Sequence, residues 1–483
     1  MRTAILLVTL LTCAASTHAA ADQRALASSL AAAGDYAGAA RCYRGTAAHY
    51  RQVGDQQAAL IFDSKADQYE PALIGFRERS ASPEELRAFY TGAKAEPVYG
   101  CYIGVNCFQD RNVDASFADF CKLAGKPHAL FYDYGRHCSI SSDMLDLCRP
   151  EGPWLQAACE PDCGLGRVTA GRQLDDWARS LGALNTPIFL RWGSEMNGDW
   201  VNWNGDPALY IEKFRLVHDV MARLAPKVVM VWCPNATPVP AIDRYYPGDA
   251  YVDWVGVNSY VVAIHNNNPN ASAERENPAD LFADVYRRYA ARKPIMICET
   301  GVTHYSQALG RPDYSFAARR LGQLYGCLPR LYPRLKAICY YDVNNLAGNA
   351  TGRPFNNYLL TDNPQVLAAY RRAIAPDYFL AGPQDRAGPF PAYIERLADG
   401  QTLSGSVHLS AWAKSWTIAP VVQYSLDDQV LAYSAAAGTY DCRLDCSTLR
   451  SGPHTLTLTM LDKPGGKRLK QVSYRIRTAP DGI

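Results

Sequence analysis

An alternation of short apolar segments with helical patterns runs from Val98 to about Tyr378 and limits the folds open to this chain. Eight of the apolar segments have the length and composition of buried strands. Eight strand–helix units are the content of a TIM barrel, so we predict an α/β fold with a (β/α)₈ barrel over residues 97–380. The predicted strands are Tyr99–Gly104, His128–Asp133, Pro153–Glu160, Pro187–Trp192, Lys227–Cys233, Tyr251–Val257, Pro294–Glu299 and Leu335–Asp342.

A doubly wound open sheet is the competing fold for such an alternation. That fold predicts a glycine-rich phosphate loop directly after an early strand. The sequence contains no such loop, which favours the barrel.

The segment before the barrel, residues 22–96, has the pattern of helices. Alanine-rich stretches are interrupted at Gly34 and Gly54, and Tyr36, Tyr43 and Tyr50 recur on one helical face. The pattern resembles a tetratricopeptide-type helical hairpin, although the full repeat period is not met. A plain helical packing module is the alternative.

After the barrel, the spacing of apolar residues changes from a helical period to a period of two. A Gly/Pro-rich linker over residues 381–392 leads into residues 393–483, where apolar and polar residues alternate between turn signals. This pattern predicts a small antiparallel β-sandwich. The stretch from Gln423 to Leu456 resembles bacterial immunoglobulin-like modules, which either bind glycan or act as spacers.

Residues 1–21 have the pattern of a secretory signal peptide, with one positive charge, a short apolar core and small residues near the expected cut. No later stretch is long and apolar enough to span a membrane. Lys plus Arg number 49 and Asp plus Glu 47, which gives no electrostatic reason to expect nucleic acid or an anionic membrane as a partner. We therefore expect a soluble, exported monomer, secreted or periplasmic, that uses no cofactor and no metal.

The cysteine content also bears on export. Fourteen cysteines follow the predicted signal peptide, and exported proteins pair many of theirs. We predict that Cys138, Cys148, Cys159 and Cys163 are mostly disulfide-bonded and brace the loops around the second and third strands. Strand alternation predicts that Cys298 faces the helix layer.

Two of the predicted strands end at a glutamate. Glu195 follows the fourth strand closely and Glu299 ends the seventh. A barrel brings the ends of these strands to one opening, and paired carboxylates there are what glycosidic-bond hydrolysis needs. We expect the separation of about 5–5.5 Å that is typical of retaining enzymes. The alternative is that both are surface residues just past strand ends.

The segment from Val98 to about Tyr378 resembles glycoside hydrolase family 26, whose members are retaining barrel enzymes best known as β-mannanases. The resemblance implies that Glu195 is the general acid/base and Glu299 the nucleophile. It depends on Arg191 with Glu195-Met-Asn-Gly-Asp-Trp200, Val231-Trp-Cys-Pro-Asn235, Tyr246-Pro-Gly-Asp with Val252-Asp-Trp-Val-Gly256, Tyr260, and Pro294-Ile-Met-Ile-Cys-Glu299.

The same resemblance indicates where a substrate would bind. Tyr260 is placed to donate its hydroxyl to Glu299, while Arg191 either stabilises a carboxylate or anchors the barrel core. Ser194 stands where the family usually has histidine, and Glu160, which ends the third strand, is expected to be structural. The predicted substrate-binding residues are Arg191, Ser194, Asn197, Trp200, Trp203, Trp232, Asn235, Tyr260 and His304. The alternative for Trp200 and Trp203 is that they cover the top of the barrel, and the alternative for His304 is a loop histidine without a catalytic role.

These features predict an exported retaining β-glycosidase that cuts within a β-mannan or a related β-linked polysaccharide. The substitution at Ser194 leaves a second hypothesis open, a non-catalytic carbohydrate-binding protein on a hydrolase-like barrel. A third hypothesis is a surface adhesion or scaffold protein, for which the two glutamates would have no function.

Overall fold

The computed structural model describes residues 23–347, 354–384, 387–417, 419–435 and 438–479. The predicted signal peptide over residues 1–21 lies outside this part of the chain. Among the helices of the described residues, none has the length and apolar character that crossing a membrane requires.

Eleven α-helices lie within the described residues. They are α1 (23–32), α2 (Tyr36–Gln52), α3 (Gln56–Tyr69), α4 (Pro83–Arg87), α5 (Phe117–Ala124), α6 (Ser142–Asp146), α7 (Arg172–Ala183), α8 (Pro207–Leu224), α9 (Ala283–Tyr289), α10 (Tyr314–Leu331) and α11 (Pro364–Ile374).

The strands of the same residues fall into a barrel, a small sheet and two further sheets. They are β1 (Ala72–Arg79), β2 (Cys101–Asn106), β3 (Leu130–Arg136), β4 (Trp154–Glu160), β5 (Ile188–Trp192), β6 (Val228–Trp232), β7 (Trp254–Asn258), β8 (Ile295–Thr300), β9 (Tyr305–Ser306), β10 (Arg311–Pro312), β11 (Leu335–Tyr341), β12 (Asn356–Asn357), β13 (Phe379–Leu380), β14 (Tyr393–Arg396), β15 (Thr402–Ser404), β16 (Ser406–Lys414), β17 (Val421–Leu426), β18 (Gln429–Ser434), β19 (Tyr440–Asp445), β20 (Gly452–Leu461) and β21 (Arg468–Ala479).

Eight parallel strands close into a ring. Strands β2 to β8 pair in sequence order, β8 pairs with β11, and β11 pairs with β2. The predicted (β/α)₈ barrel is therefore confirmed, and each predicted strand overlaps one strand of the ring.

The two faces of each barrel strand pack in different layers. On β5, Phe189 and Arg191 point into the barrel, while Ile188, Leu190 and Trp192 pack against the surrounding helices. The helices present matching apolar stripes; α7, for example, buries Leu174, Trp177, Ala178 and Leu181. The alternation decides which side chains reach the mouth, by which we mean the opening at the C-terminal ends of the strands.

The segment before the barrel contains the predicted helical pair. Helices α2 and α3 pack through aromatic rings, with Tyr43 stacked on Phe62 and on Tyr69. Trp416, from the C-terminal part of the chain, stacks on Tyr69 at a centroid distance of 4.3 Å.

The prediction that residues 22–96 are helical is wrong at β1. This strand lies in the middle of a sheet ordered β14–β1–β16–β19, antiparallel to both neighbours. Leu73, Gly75 and Phe76 are its buried residues, in a run too short to show a period of two clearly. Its strand partners follow in the chain more than 300 residues later, so no local pattern indicates them.

The C-terminal strands form the predicted β-sandwich. The sheet that contains β1 packs on a second sheet, ordered β15–β21–β20–β17–β18, around one apolar cluster. The sheets approach closely at Gly75, where an added Cβ would lie 2.8 Å from Leu397 and 3.1 Å from Leu458. The immunoglobulin-like assignment and the domain boundaries stay predictions.

The predicted disulfides are not present. All fourteen cysteines of the described residues are free thiols. Cys148 and Cys159 are buried in the apolar layer between strands and helices, and Cys163 is exposed. Backbone hydrogen bonds hold the loops instead, such as the one that the His137 amide donates to the Glu160 carbonyl at 2.9 Å.

We predict that Leu73→Ala destabilises the sandwich by about 2–5 kcal/mol, because Leu73 is 4% exposed within the shared core. Calorimetry of the full chain should show a lowered unfolding temperature. Leu431→Ala on β18, where the side chain is 40% exposed, is the control. Equal effects of the two changes would contradict a core role for β1.

Candidate active site

A buried arginine lies at the centre of the mouth. Arg191 is fully buried, and its Nη2 forms an ion pair with Glu299 Oε1 at 2.5 Å. Its Nη1 donates to Asn258 Oδ1 at 3.2 Å. Burial acts to lower the pKa of Arg191, but the charge of Glu299 and its neighbours raises it well above the ordinary value. Arg191 thus contacts a carboxylate directly, as the first of its two predicted roles requires.

Glu299 reaches the mouth because β8 contains a bulge. Val257 pairs with Ile297, but the next residue of β7, Asn258, pairs with Glu299. The extra residue breaks the alternation, so Cys298 lies in the inner layer although Glu299 also points to the mouth. The prediction that Cys298 faces the helix layer is therefore wrong.

Two tyrosines complete the surroundings of Glu299. Tyr260 donates to Oε2 at 2.6 Å, as predicted, and Tyr134 donates to Oε1 at 2.8 Å. Glu299 as a whole is only 5% exposed. Two hydroxyl donors and one guanidinium stabilise a negative charge at this position.

Glu195 has different partners. It follows β5 in a tight turn and has a left-handed backbone with φ of 56°. Oε1 accepts from Asn235 Nδ2 and from Asn258 Nδ2, both at 2.9 Å, and Oε2 accepts from Trp200 Nε1 at 2.6 Å. All three donors are neutral, and the Trp200 ring is 40% exposed.

Asn258 links the two carboxylates. Its amide nitrogen donates to Glu195, and its amide oxygen accepts from Arg191, which pairs with Glu299. Cys233 Sγ also donates to that oxygen at 3.2 Å. Because a side-chain amide has one donor end and one acceptor end, these contacts fix its orientation.

Glu160 is a third carboxylate at the mouth. It ends β4, and both its oxygens accept from Ser194: Oε1 from the hydroxyl at 2.5 Å and Oε2 from the backbone amide at 2.9 Å. Burial raises the pKa of Glu160 to about 7, and the bonds from Ser194 and the charge of Arg191 limit the rise.

Three of the predicted substrate-binding residues are buried and take no part in the bonds to Glu195 and Glu299 described above. Trp203 is 6% exposed and donates its indole N–H to the Ser194 carbonyl at 2.7 Å. Trp232 is fully buried outside the barrel against Tyr246 and Tyr289, because it alternates with inward-facing neighbours on β6. These two rings cannot serve as sugar platforms in this structure.

His304 is the third. It is 4% exposed in the loop before β9, with Nε2 3.7 Å from Asp362 and its ring beside Tyr314. Burial lowers its pKa.

Asn197 and Asn235 join two loops of the mouth. Asn197 donates to the Asn235 carbonyl at 2.9 Å and accepts from the Asn235 amide at 2.9 Å. Asn197 is 3% exposed, so it supports the site from below while Asn235 contacts Glu195.

Tyr134 and Asn258 are the site residues that the sequence analysis missed. The signal for Tyr134 was its period-two spacing from Tyr132, which places it on the inner face of β3. The signal for Asn258 was its position one residue past the predicted sixth strand.

The described residues include no group of three His, Cys, Asp or Glu side chains placed to hold a metal ion.

The comparisons with known proteins find a matching family model. The model of the family described as glycosyl hydrolase family 26 matches residues 168–305, which include Glu195 and Glu299. The chain is similar to glycoside hydrolase family 26. The predicted resemblance is confirmed.

Curated relatives of this family-26-like chain match part of their own length. Endoglucanase H of Acetivibrio thermocellus is 24% identical over 317 residues, which is 59% of this chain and 32% of that protein. The β-1,3-xylanase TXYA of a Vibrio species is 29% identical over 142 residues, 28% of each chain. The chain thus spans about a third or less of the length of these relatives.

Solved structures of family 26 proteins are also similar. A β-mannanase from Bacteroides ovatus is 14% identical with a TM-score of 0.40, covering 62% of this chain and 95% of that one. A protein named GH26C from a Muricauda species is 15% identical with a TM-score of 0.43, covering 63% and 96%.

We predict that Arg191→Met lowers the free energy of unfolding by about 3–5 kcal/mol, because it leaves Glu299 buried without its counter-charge. Adding Glu299→Gln should recover part of the loss. Chemical denaturation measures both. The control is Arg136→Met, whose side chain is 82% exposed in a 3.9 Å pair and should cost less than about 1 kcal/mol.

We also predict that Glu160 makes stability depend on pH. Its pKa is about 7 in the fold against the ordinary 4.5, so the folded state holds a proton that the unfolded state releases. The unfolding temperature of the wild type relative to Glu160→Gln should be highest below pH 4.5 and fall as the pH rises through 7. A pH-independent difference would contradict the raised pKa.

Proposed function

We propose that this chain is a retaining β-glycoside hydrolase in which Glu195 is the acid/base and Glu299 the nucleophile. The observation that carries the proposal is the unequal environment of two carboxylates joined through Arg191 and Asn258. Glu299 pairs with a guanidinium, which suits a group that must attack as an anion. Glu195 has only neutral donors and is half-buried, which suits a group that must gain and lose a proton.

The reaction would proceed in two displacements. Glu299 attacks the anomeric carbon while Glu195 gives its proton to the leaving glycosidic oxygen, which forms a glycosyl-enzyme ester. Glu195, now ionised, takes a proton from water, whose oxygen attacks the same carbon and releases Glu299. Each displacement inverts the anomeric carbon, so the product keeps the starting configuration.

The contacts of Tyr260, Tyr134 and Arg191 fit these steps. They stabilise the charge of Glu299 before attack and again when it leaves in the second displacement. Trp200 lies on the exposed side of Glu195, where a substrate would approach the acid. The exposed rings of Tyr134 and Trp200 suit contacts with sugar faces.

We propose that the substrate is a β-linked polysaccharide cut at internal bonds. The relatives are named as an endoglucanase and β-1,3-xylanases, which supports the linkage type without fixing the sugar. β-Mannan stays a candidate on the family resemblance. Ser194 stands where the family usually has histidine. Its hydroxyl bonds to Glu160, so this chain makes a serine–carboxylate contact at that position.

We further propose that residues 1–21 direct export and that residues 393–483, together with β1, form a module that spaces the barrel or binds glycan. The pattern of the first 21 residues and the sandwich architecture support these proposals. Export can be tested by expression with and without residues 1–21, followed by fractionation.

Glu299→Ala should abolish hydrolysis in a screen on β-mannan, β-1,3-xylan, β-1,4-xylan and mixed-linkage β-glucan. Glu195→Ala should slow the hydrolysis of these glycans far more than the hydrolysis of activated aryl glycosides, because only poor leaving groups need the proton. Reducing-end assays and NMR of the first-formed anomer measure both.

Glu212→Ala is the matched control, since this glutamate is exposed on α8 and pairs with the neighbouring Lys213. Product of inverted configuration would contradict the retaining mechanism. Wild-type activity in Glu299→Ala would contradict the site. Tight glycan binding without any hydrolysis by the wild type would favour the carbohydrate-binding alternative.

A further inference from the structure

Glu160 holds the residue that precedes Glu195, and the reaction proposed above gives Glu160 no role. Its two oxygens are both used by Ser194, at 2.5 Å from the hydroxyl and 2.9 Å from the backbone amide. A carboxylate that is hydrogen-bonded to both the side chain and the backbone of one residue fixes the position of that residue and of its neighbours.

The turn from Gly193 to Glu195 is bonded at every backbone polar group. Of its six N–H and C=O groups, five bond to neutral partners, and only the Ser194 amide bonds to a carboxylate. The bonds are Gly193 N to Cys159 O, Tyr210 hydroxyl to Gly193 O, Ser194 N to Glu160 Oε2, Trp203 Nε1 to Ser194 O, Glu195 N to Cys233 O, and Gly198 N to Glu195 O.

These hydrogen bonds stabilise a turn that contains two residues with left-handed backbone conformations. Gly193 has φ of 57° and Glu195 φ of 56°, both left-handed. Glycine adopts this conformation freely, but a glutamate does so at a cost because its Cβ crowds the backbone. Such a conformation persists only where its surroundings fix it, and it aims the Glu195 carboxyl at Asn258 and Asn235.

We propose that Glu160 is a positioning residue that, by gripping Ser194, holds the Glu195 carboxyl in the orientation needed for proton transfer to the leaving group. The inference rests on the proposed function and extends it to a residue without a role in that reaction. Glu160 acts through Glu195 and makes no bond to the reacting atoms.

A negative charge on Glu160 strengthens its two hydrogen bonds with Ser194. A hydrogen bond to an ionised carboxylate is shorter and stronger than one between neutral groups. The charged groups that act on Glu160 are Arg191 from β5, which favours the ionised form, and Glu299 from β8, which opposes it. Burial brings the pKa of Glu160 to about 7, so its two hydrogen bonds with Ser194 are strongest above neutral pH.

Glu160→Gln tests the proposal, because a glutamine keeps the shape but has one acceptor oxygen for two donors. The probes are aryl β-glycosides of xylobiose, mannobiose and cellobiose, with leaving groups graded from dinitrophenyl to unsubstituted phenyl. We expect kcat/KM to fall about tenfold to hundredfold for phenyl and little for dinitrophenyl. The dependence on leaving-group pKa should steepen toward that of Glu195→Gln.

The double variant Glu160→Gln with Glu195→Gln shows whether the effect passes through Glu195. If it does, the double variant reacts no more slowly than Glu195→Gln alone. Independent, multiplying losses would overturn the proposal. An equal loss for every leaving group would also overturn it, since that is the result of a general structural role.

Two more variants distinguish loss of the Glu160–Ser194 bonds from a general loss of folding. Ser194→Ala removes one of the two bonds and should steepen the leaving-group dependence in the same direction by a smaller amount. Asp162→Asn is the matched control, because this carboxylate lies two residues from Glu160 and its side chain is 54% exposed. Unchanged leaving-group dependence in both Glu160→Gln and Ser194→Ala would overturn the proposal.

The outcome is separable from that of the proposed function. If Glu195 and Glu299 variants behave as acid/base and nucleophile while Glu160→Gln behaves as the control, only the positioning role fails. If Glu299→Ala keeps full activity, the proposed function fails first.

Discussion

The ion pair between Arg191 and Glu299 is the interaction on which the rest of the mouth depends. A guanidinium with no exposed surface needs a counter-charge and hydrogen-bond acceptors nearby. Glu299 supplies the charge, and Asn258 supplies an acceptor and in turn orients Glu195. The two carboxylates are thus placed relative to one buried cation, so that a shift at one strand end changes the surroundings of both.

Much of the barrel follows from local patterns in the sequence. Apolar runs of strand length, helical stripes between them and glutamates at two strand ends predict the eight strands and the position of Glu195 and Glu299. The bulge at Cys298 could not be predicted, because it depends on the registers of β7 and β11 against β8. The structure differs from the prediction at Trp232 because the alternation along β6 turns its ring outward, whereas a sugar contact requires a ring at the mouth.

Long-range pairing explains the remaining differences. Strand β1 is fixed by β14 and β16, which come from the other end of the chain. The sandwich therefore draws one of its central strands from the segment before the barrel. Backbone bonds also order the loops after β3 and β4, where cross-links were expected. Arg136 and Ser139 bond to each other, and the His137 amide donates to the Glu160 carbonyl.

The site also shows where stability and chemistry oppose each other. Burial of Glu160 raises its pKa toward neutrality, which means that the ionised form costs folding free energy at neutral pH and above. A neutral side chain of the same shape would avoid that cost but would accept only one of the two bonds from Ser194. The left-handed backbone of Glu195 adds a second cost in the same turn. The two unfavourable features, the buried Glu160 carboxylate and the left-handed Glu195 backbone, both lie next to Ser194 and are held there by hydrogen bonds. Such costs are typical of functional sites, where the orientation of a side chain matters more than its contribution to stability.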